Sequence, residues 1–259
     1  MTDLLHITRS GAVATLTLNR PDVHNAFNAD LIAALHAACT DLARDAELRV
    51  LVLQGAGPSF CAGADINWMR ESLDYSHAEN LADAGKLDAM LEALDTLPMA
   101  VVGRVHGAAL GGGVGLLACC DIVIAAEGTR FGFTEVRLGL LPAVIARYVI
   151  PHIGAGHARA LFVSGQRFDT ARAQAIGLVH EVVKADNLDT TIQRTVSELL
   201  RCGPQAVSAA KALVSAVTTL PTEEARRYVI EAIAVARIGP EGQEGLRAFL
   251  EKRKSGWSS

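Results

Sequence analysis

The stretch Val105-His106-Gly107-Ala108-Ala109-Leu110-Gly111-Gly112-Gly113-Val114-Gly115 constrains this chain more than any other. It joins an apolar run at 99–105 to a second at 116–120 and places three glycines in succession. Glycine allows positive φ and close approach of a backbone to a ligand, so a strand entering such a turn and leaving it as a helix presents bare N–H groups at a helix N-terminus. A turn of this kind stabilises negative charge. A phosphate-cradling loop would close on Gly-Lys-Ser or Gly-Lys-Thr, and no lysine lies between Lys86 and Lys184. That excludes a P-loop. The segment Gly113-Val114-Gly115-Leu116-Leu117-Ala118, with Glu135 about 20 residues further on, fits the dinucleotide pattern G-x-G-x-x-A. Its first glycine, however, is the eighth residue past Val105, whereas a dinucleotide turn starts at the strand end. The nicotinamide reading is disfavoured.

The 259 residues suit one large α/β core, or such a core with a small helical appendage. Half the residues are apolar but only 5% are aromatic, so the core must be built from Ala, Leu, Val and Ile. A net charge of −4 gives no general attraction to nucleic acid or anionic lipid, and Lys252-Arg253-Lys254 is the one basic run. Five cysteines, an odd number without a C-x-x-C pair, read as reduced thiols. With no N-x-S/T sequon, no cationic leader and no charge-free apolar run of about 18 residues, the expectation is a cytoplasmic protein without membrane or nucleic-acid partners.

Along the chain, apolar runs at 4–8 and 13–18 flank a hairpin turn at 9–12. Asn28 should cap an amphipathic helix reaching about Arg44. Residues 50–53 read as a buried strand and 76–94 as a helix. Further strands are expected at 98–105, 121–125, 131–133 and 178–183. Helices are expected at 155–163, 170–176, 188–201, 204–217, 221–238 and 240–254. The pattern therefore divides into a sheet core over 1–195 and a C-terminal helical region over 196–259.

A second loop resembles the glycine turn in kind. Ser59-Phe60-Cys61-Ala62-Gly63-Ala64-Asp65 follows the strand at 50–53, and its small residues again bare the backbone. Two strand-end loops that each aim an N–H at one point are what an oxyanion hole for a thioester or ester carbonyl requires. The sequence contains no G-x-S-x-G elbow, no H-E-x-x-H and no cluster of metal ligands, so chemistry would rest on a carboxylate, with no metal.

Several segments together resemble the crotonase (enoyl-CoA hydratase/isomerase) superfamily: Asn19-Arg20-Pro21, Asn25-Ala26, the loop at 60–65, the turn at 107–113, Cys120-Asp121, and Phe131-Gly132 followed by Glu135 and Gly139. Within it, residues 135–145 and 241–251 are similar to bacterial hydratases of 3-methylglutaconyl-CoA and related carboxylated branched enoyl-CoAs. The resemblance implies an α/β fold, a spiral of β-β-α units with a C-terminal helical trimerisation region, assembled as a homotrimer or as a hexamer built from two trimers. It implies that the N–H groups of Ala64 and Gly112 bind the thioester oxygen and that Glu135 moves the proton at the substrate α-carbon. Ala62, Ala64, Asp65, Ile66 and Asn67 would line the coenzyme A track. Phe249 and Lys252 would cover its nucleotide end, from the same or a neighbouring subunit. No cofactor is implied, coenzyme A being part of the substrate.

One position departs from the pattern. Two-glutamate hydratases carry their other catalytic glutamate where this chain has Gly115. The expected activity is reversible hydration of a conjugated 2-enoyl-CoA by the oxyanion hole and a single glutamate. The alternatives are Δ3,Δ2-enoyl-CoA isomerisation, decarboxylation of a glutaconyl thioester, and an inactive acyl-CoA-binding protein. Cys61 and Cys119-Cys120 read as packing residues, His106 as scaffold or substrate contact, Trp68 and Met69 as acyl-pocket lining or helix anchors. Arg137 and Arg147 are candidates to meet a distal carboxylate.

Overall fold

The computed structural model describes residues 4–258. The hairpin forms with a tighter turn than expected: β1 (Leu5–Ser10) pairs antiparallel with β2 (Val13–Leu18) around Gly11-Ala12. Next comes α1 (Ala29–Leu42), capped by the Asn28 side chain, which accepts from the Leu31 amide, and burying Leu31, Ile32, Leu35 and Cys39. β3 (Val50–Gly55) then lies parallel to β2, a pairing that needs a crossover such as α1. The short α2 (Ile66–Glu71) and the long α3 (His77–Asp95) precede β4 (Ala100–Val105), and a Ser76–Glu79 capping box opens α3.

The glycine turn is more than a link from strand to helix. It holds a three-residue strand, β5 (Ala108–Leu110), before α4 (Gly112–Ala118). β6 (Ile122–Ala126) returns to the main sheet, whereas β7 (Arg130–Gly132) pairs with β5. α5 (Ala143–Ser164), kinked at Gly154, starts well before the expected 155. It is followed by β8 (Arg167–Phe168), α6 (Thr170–Ala175), β9 (Glu181–Val183) and α7 (Leu188–Leu199). The six-stranded sheet runs β1-β2-β3-β4-β6-β9, and a second sheet runs β5-β7-β8. The position 195/196 falls inside α7, which packs on β4 and β6.

Strand alternation explains the layers. Leu51 and Leu53 of β3 join the large core with residues of α1, α3, α4 and α5; Val50 and Val52 face a smaller core shared with Leu188 and Ile192 of α7. Parallel strands covered on both faces read as continuous apolar runs, as residues 50–53 do. The C-terminal layer comprises α8 (Pro204–Thr219), α9 (Thr222–Ile238) and α10 (Pro240–Leu250), the last ending short of the expected 254. Lys211 ties α8 to the sheet, its Nζ lying 2.8 Å from the Asp121 carboxylate. Among the described residues no helix is long and apolar enough to cross a membrane.

Candidate active site

The loop after β3 and the glycine turn pair backbone to backbone. The Cys61 amide donates to the Ala108 carbonyl and the Leu110 amide to the Cys61 carbonyl, each at 3.0 Å. A Cβ on Gly113 would stand 2.4 Å from the Cys61 carbonyl oxygen, so glycine is what permits this approach. On the other side of the first loop, the Phe27 amide donates to the Gly63 carbonyl and the Asp65 amide to the Phe27 carbonyl. Ala64 is thereby held from both neighbours, and its own N–H has no acceptor among the described residues. The same is true of Gly112, whose N–H is the first of α4. A Cβ on Gly63 would lie 3.9 Å from the Gly111 α-carbon, so Ala64 and Gly112 are neighbours across the seam.

Glu135 reaches this point through the second sheet. The Gly111 amide donates to the Gly132 carbonyl at 2.9 Å, fixing β7 against the turn. Three residues on, the chain makes a single 3₁₀ turn, Glu135–Leu138, ended by the left-handed Gly139. Phe131 stacks on Phe168 and Phe133 meets Phe162 edge to face, anchoring the strand beneath. The carboxylate then lies over Gly111, with Oε1 2.9 Å from where a Cβ of that residue would stand. Gly111 also adopts φ 49°, so a side chain there would strain the backbone and displace the Glu135 carboxylate. Glu135 Oε2 is buried without a hydrogen-bond partner, and burial pushes the carboxyl pKa above its ordinary value.

A match to the enoyl-CoA hydratase/isomerase family runs over residues 8–259. The chain belongs to that family. It is accordingly an enzyme of the crotonase fold. A crotonyl-CoA hydratase of Syntrophomonas wolfei is 33% identical over 95% of each chain. Among solved structures, Pseudomonas aeruginosa AtuE superposes with a TM-score of 0.96 at 36% identity over 99% of this chain and 100% of that one. An enoyl-CoA hydratase from Shewanella pealeana superposes at 0.94 with 38% identity, over 98% and 96%.

For an enoyl-CoA hydratase/isomerase the surroundings of Gly115 matter most. A Cβ there would meet Ile145 Cγ2 at 2.4 Å, with Leu91 Cδ1 at 3.7 Å. The position is a filled apolar wall, not the vacancy that a missing side chain suggests. Arg147 is engaged with Asp88 and Glu92, and Arg137 is exposed. His106 is a scaffold residue, its Nε2 lying 2.8 Å from the Gly57 carbonyl and its Nδ1 facing Arg104. Burial pushes the Cys61 thiol up to about 12, which suits packing and not nucleophilic attack. Trp68 packs half-buried against the large core with its indole N–H unpartnered, and Met69 is half-buried beside it.

Ala62 is half-buried and gives its amide to the His24 carbonyl; Ile66 and Asn67 are exposed at the start of α2. Asp65 differs. Its amide and carbonyl are engaged with Phe27 and Met69, and its buried carboxylate lies 2.7 Å from Arg20 while capping α2. Burial works to raise that carboxyl, but Arg20 and the amides of Asn67 and Trp68 hold it below its ordinary value. Asp65 thus clamps the loop to Arg20 and to the start of α2. Phe249 and Lys252 are exposed, and Phe249 lines a cleft with Ser197, Leu200 and Trp257, apart from the two loops. The roles of Arg20 and Phe27 carry no local sequence signal, since each acts on a segment about 40 residues away.

Proposed function

We propose that this enzyme reversibly adds water across the double bond of a conjugated 2-enoyl-CoA. The reading rests on one observation: unpaired N–H groups on Ala64 and Gly112, in loops that meet at Gly63 and Gly111, with the Glu135 carboxylate against Gly111 and one of its oxygens buried without a partner. Two donors on the thioester oxygen make Cβ electrophilic and let charge collect on oxygen as an enolate. Water contributes its oxygen to Cβ while the ionised Glu135 takes up the proton the water releases, and Glu135 then gives that proton to Cα and is ionised again. Coenzyme A enters and leaves as part of the substrate, with no separate cofactor.

The acyl group we propose is branched and carboxylated, like 3-methylglutaconyl. With Ile145 and Leu91 against Gly115, no second protein carboxylate holds the water there, and a distal substrate carboxylate supplies the missing polar group. The test follows the absorbance of the conjugated thioester on mixing with 3-methylglutaconyl-CoA and with crotonyl-CoA. A much higher kcat/KM on the carboxylated substrate is expected. Equal or better hydration of crotonyl-CoA overturns the preference.

The same apolar wall favours a second reading, conversion of a 3-enoyl-CoA to its 2-enoyl isomer, for which one glutamate moving a proton between two carbons is enough. Formation of the 2-enoyl product without 3-hydroxyacyl-CoA would assign the enzyme to isomerisation. For its working state we propose a homotrimer or a hexamer of two trimers, in which Phe249 and Lys252 reach the nucleotide end of a coenzyme A bound by a neighbouring copy.

A further inference from the structure

We infer that Phe27 is a positioning residue that sets the separation between the two oxyanion donors, an inference that rests on the oxyanion reading above. Its backbone brackets one donor, for the Phe27 amide donates to the Gly63 carbonyl at 2.6 Å and the Phe27 carbonyl accepts from Asp65 at 2.8 Å. Its ring defines the place of the other. Ring atoms Cε2 and Cδ2 would stand 2.6 and 2.7 Å from a Cβ on Gly112, so the ring packs directly against the Gly112 backbone. One residue, 1% exposed, therefore touches both donor-bearing segments.

The other contacts between the loops act further back. Cys61 and Leu110 pair three and two positions before Ala64 and Gly112, where a change of tilt can still alter the gap between the N–H groups. Phe27 acts at the donors themselves. Arg20 secures it there, with one guanidinium donating to the Ala26 carbonyl and to the Asp65 carboxylate, on either side of the Phe27–Ala64 contact. The ring also explains why residue 112 must be glycine, independently of any need for unusual backbone angles.

An oxyanion hole works only when both donors lie within hydrogen-bond reach of one developing charge, and a misplacement of about 1 Å costs on the order of a hundredfold in rate. Shortening the ring to an aliphatic side chain lets the gap relax. The test compares the parent enzyme, Phe27→Leu, Gly112→Ala and the double variant by steady-state kinetics, thermal melting and the absorbance of bound cinnamoyl-CoA. Polarisation of its thioester carbonyl draws density along the conjugated chain and shifts the band to the red.

Phe27→Leu is expected to keep KM within about threefold, lose kcat by about tenfold to a hundredfold, and reduce the red shift of the bound chromophore. The double variant is expected to exceed Gly112→Ala in kcat, because the new methyl takes the room that the ring leaves. Parent-like kcat and red shift in Phe27→Leu, even with a lowered melting temperature, would overturn the inference. If Phe27→Leu does not fold, a folded double variant no faster than Gly112→Ala overturns it equally. Failure of the oxyanion reading looks different: the parent enzyme would then bind cinnamoyl-CoA without any red shift.

Discussion

Glu135 combines two features that the proposed mechanism uses: a buried oxygen without a hydrogen bond and a position directly over the Gly111 backbone. Because desolvation raises its pKa above the ordinary 4.5, the carboxylate is lost at a higher pH than in a solvated glutamate. On the proposed mechanism, Glu135 must be ionised in the direction that removes the α-proton. The kcat/KM for a 3-hydroxyacyl-CoA is therefore expected to fall as pH drops through that raised pKa, and Glu135→Gln should abolish this limb of the pH profile. The same variant should lower kcat about a hundredfold or more while acyl-CoA binding, measured by calorimetry, is preserved. Gly115 makes the complementary case. Gly115→Glu has to displace Ile145, so a destabilisation of about 1 to 3 kcal/mol and no gain in crotonyl-CoA hydration are expected, read by denaturant melts and by the absorbance assay. Enhanced hydration in a stable Gly115→Glu protein would contradict the filled wall.

Among the elements, α4 and the two short strands beside it hold the groups of the proposed mechanism. β5 pairs the turn with β7, the 3₁₀ turn bearing Glu135 follows β7, and only Gly111 separates β5 from α4, whose first N–H, on Gly112, has no acceptor among the described residues. Proline suits the first position of a helix and removes that N–H, so Gly112→Pro should stop turnover. Its ring carbons also meet Phe27, which makes Gly112→Ala the necessary partner: it brings the same Cβ into the same contact and keeps the donor. Both variants are expected to melt lower than the parent. The rate of Gly112→Pro should fall a further hundredfold or so below that of Gly112→Ala, and equal rates in the two would remove the donor role.

On the scale of the whole molecule, the C-terminal layer exposes a large apolar surface. Neither α8 nor α9 has a fully buried residue, and Ile230, Ile233 and Ile238 are 60%, 50% and 78% exposed. We propose that copies of this chain meet over this apolar surface. Ile230→Asp combined with Ile233→Asp should shift the mass seen by light scattering toward the 27.3 kDa of one chain. It should also raise KM for acyl-CoA if a neighbouring copy covers the nucleotide. A variant that keeps the parent's mass would place the interface elsewhere.

What the sequence by itself determined was local. The continuous apolar run at 50–53, the cap Asn28, the small-residue loop at 59–65 and the glycine turn are each legible because strand period, capping and backbone freedom depend on a few adjacent residues. Glu135 could be singled out by resemblance alone. Only the tertiary structure showed that it lies over Gly111, because a sheet of two- and three-residue strands leaves no period to read and is formed by pairing across the chain. The same holds for Ile145 against Gly115 and for Phe27 against Gly112, contacts between residues 30 and 85 positions apart. Close packing decides such contacts, and whether a missing side chain leaves a hole or a wall depends on what the rest of the core brings to that point.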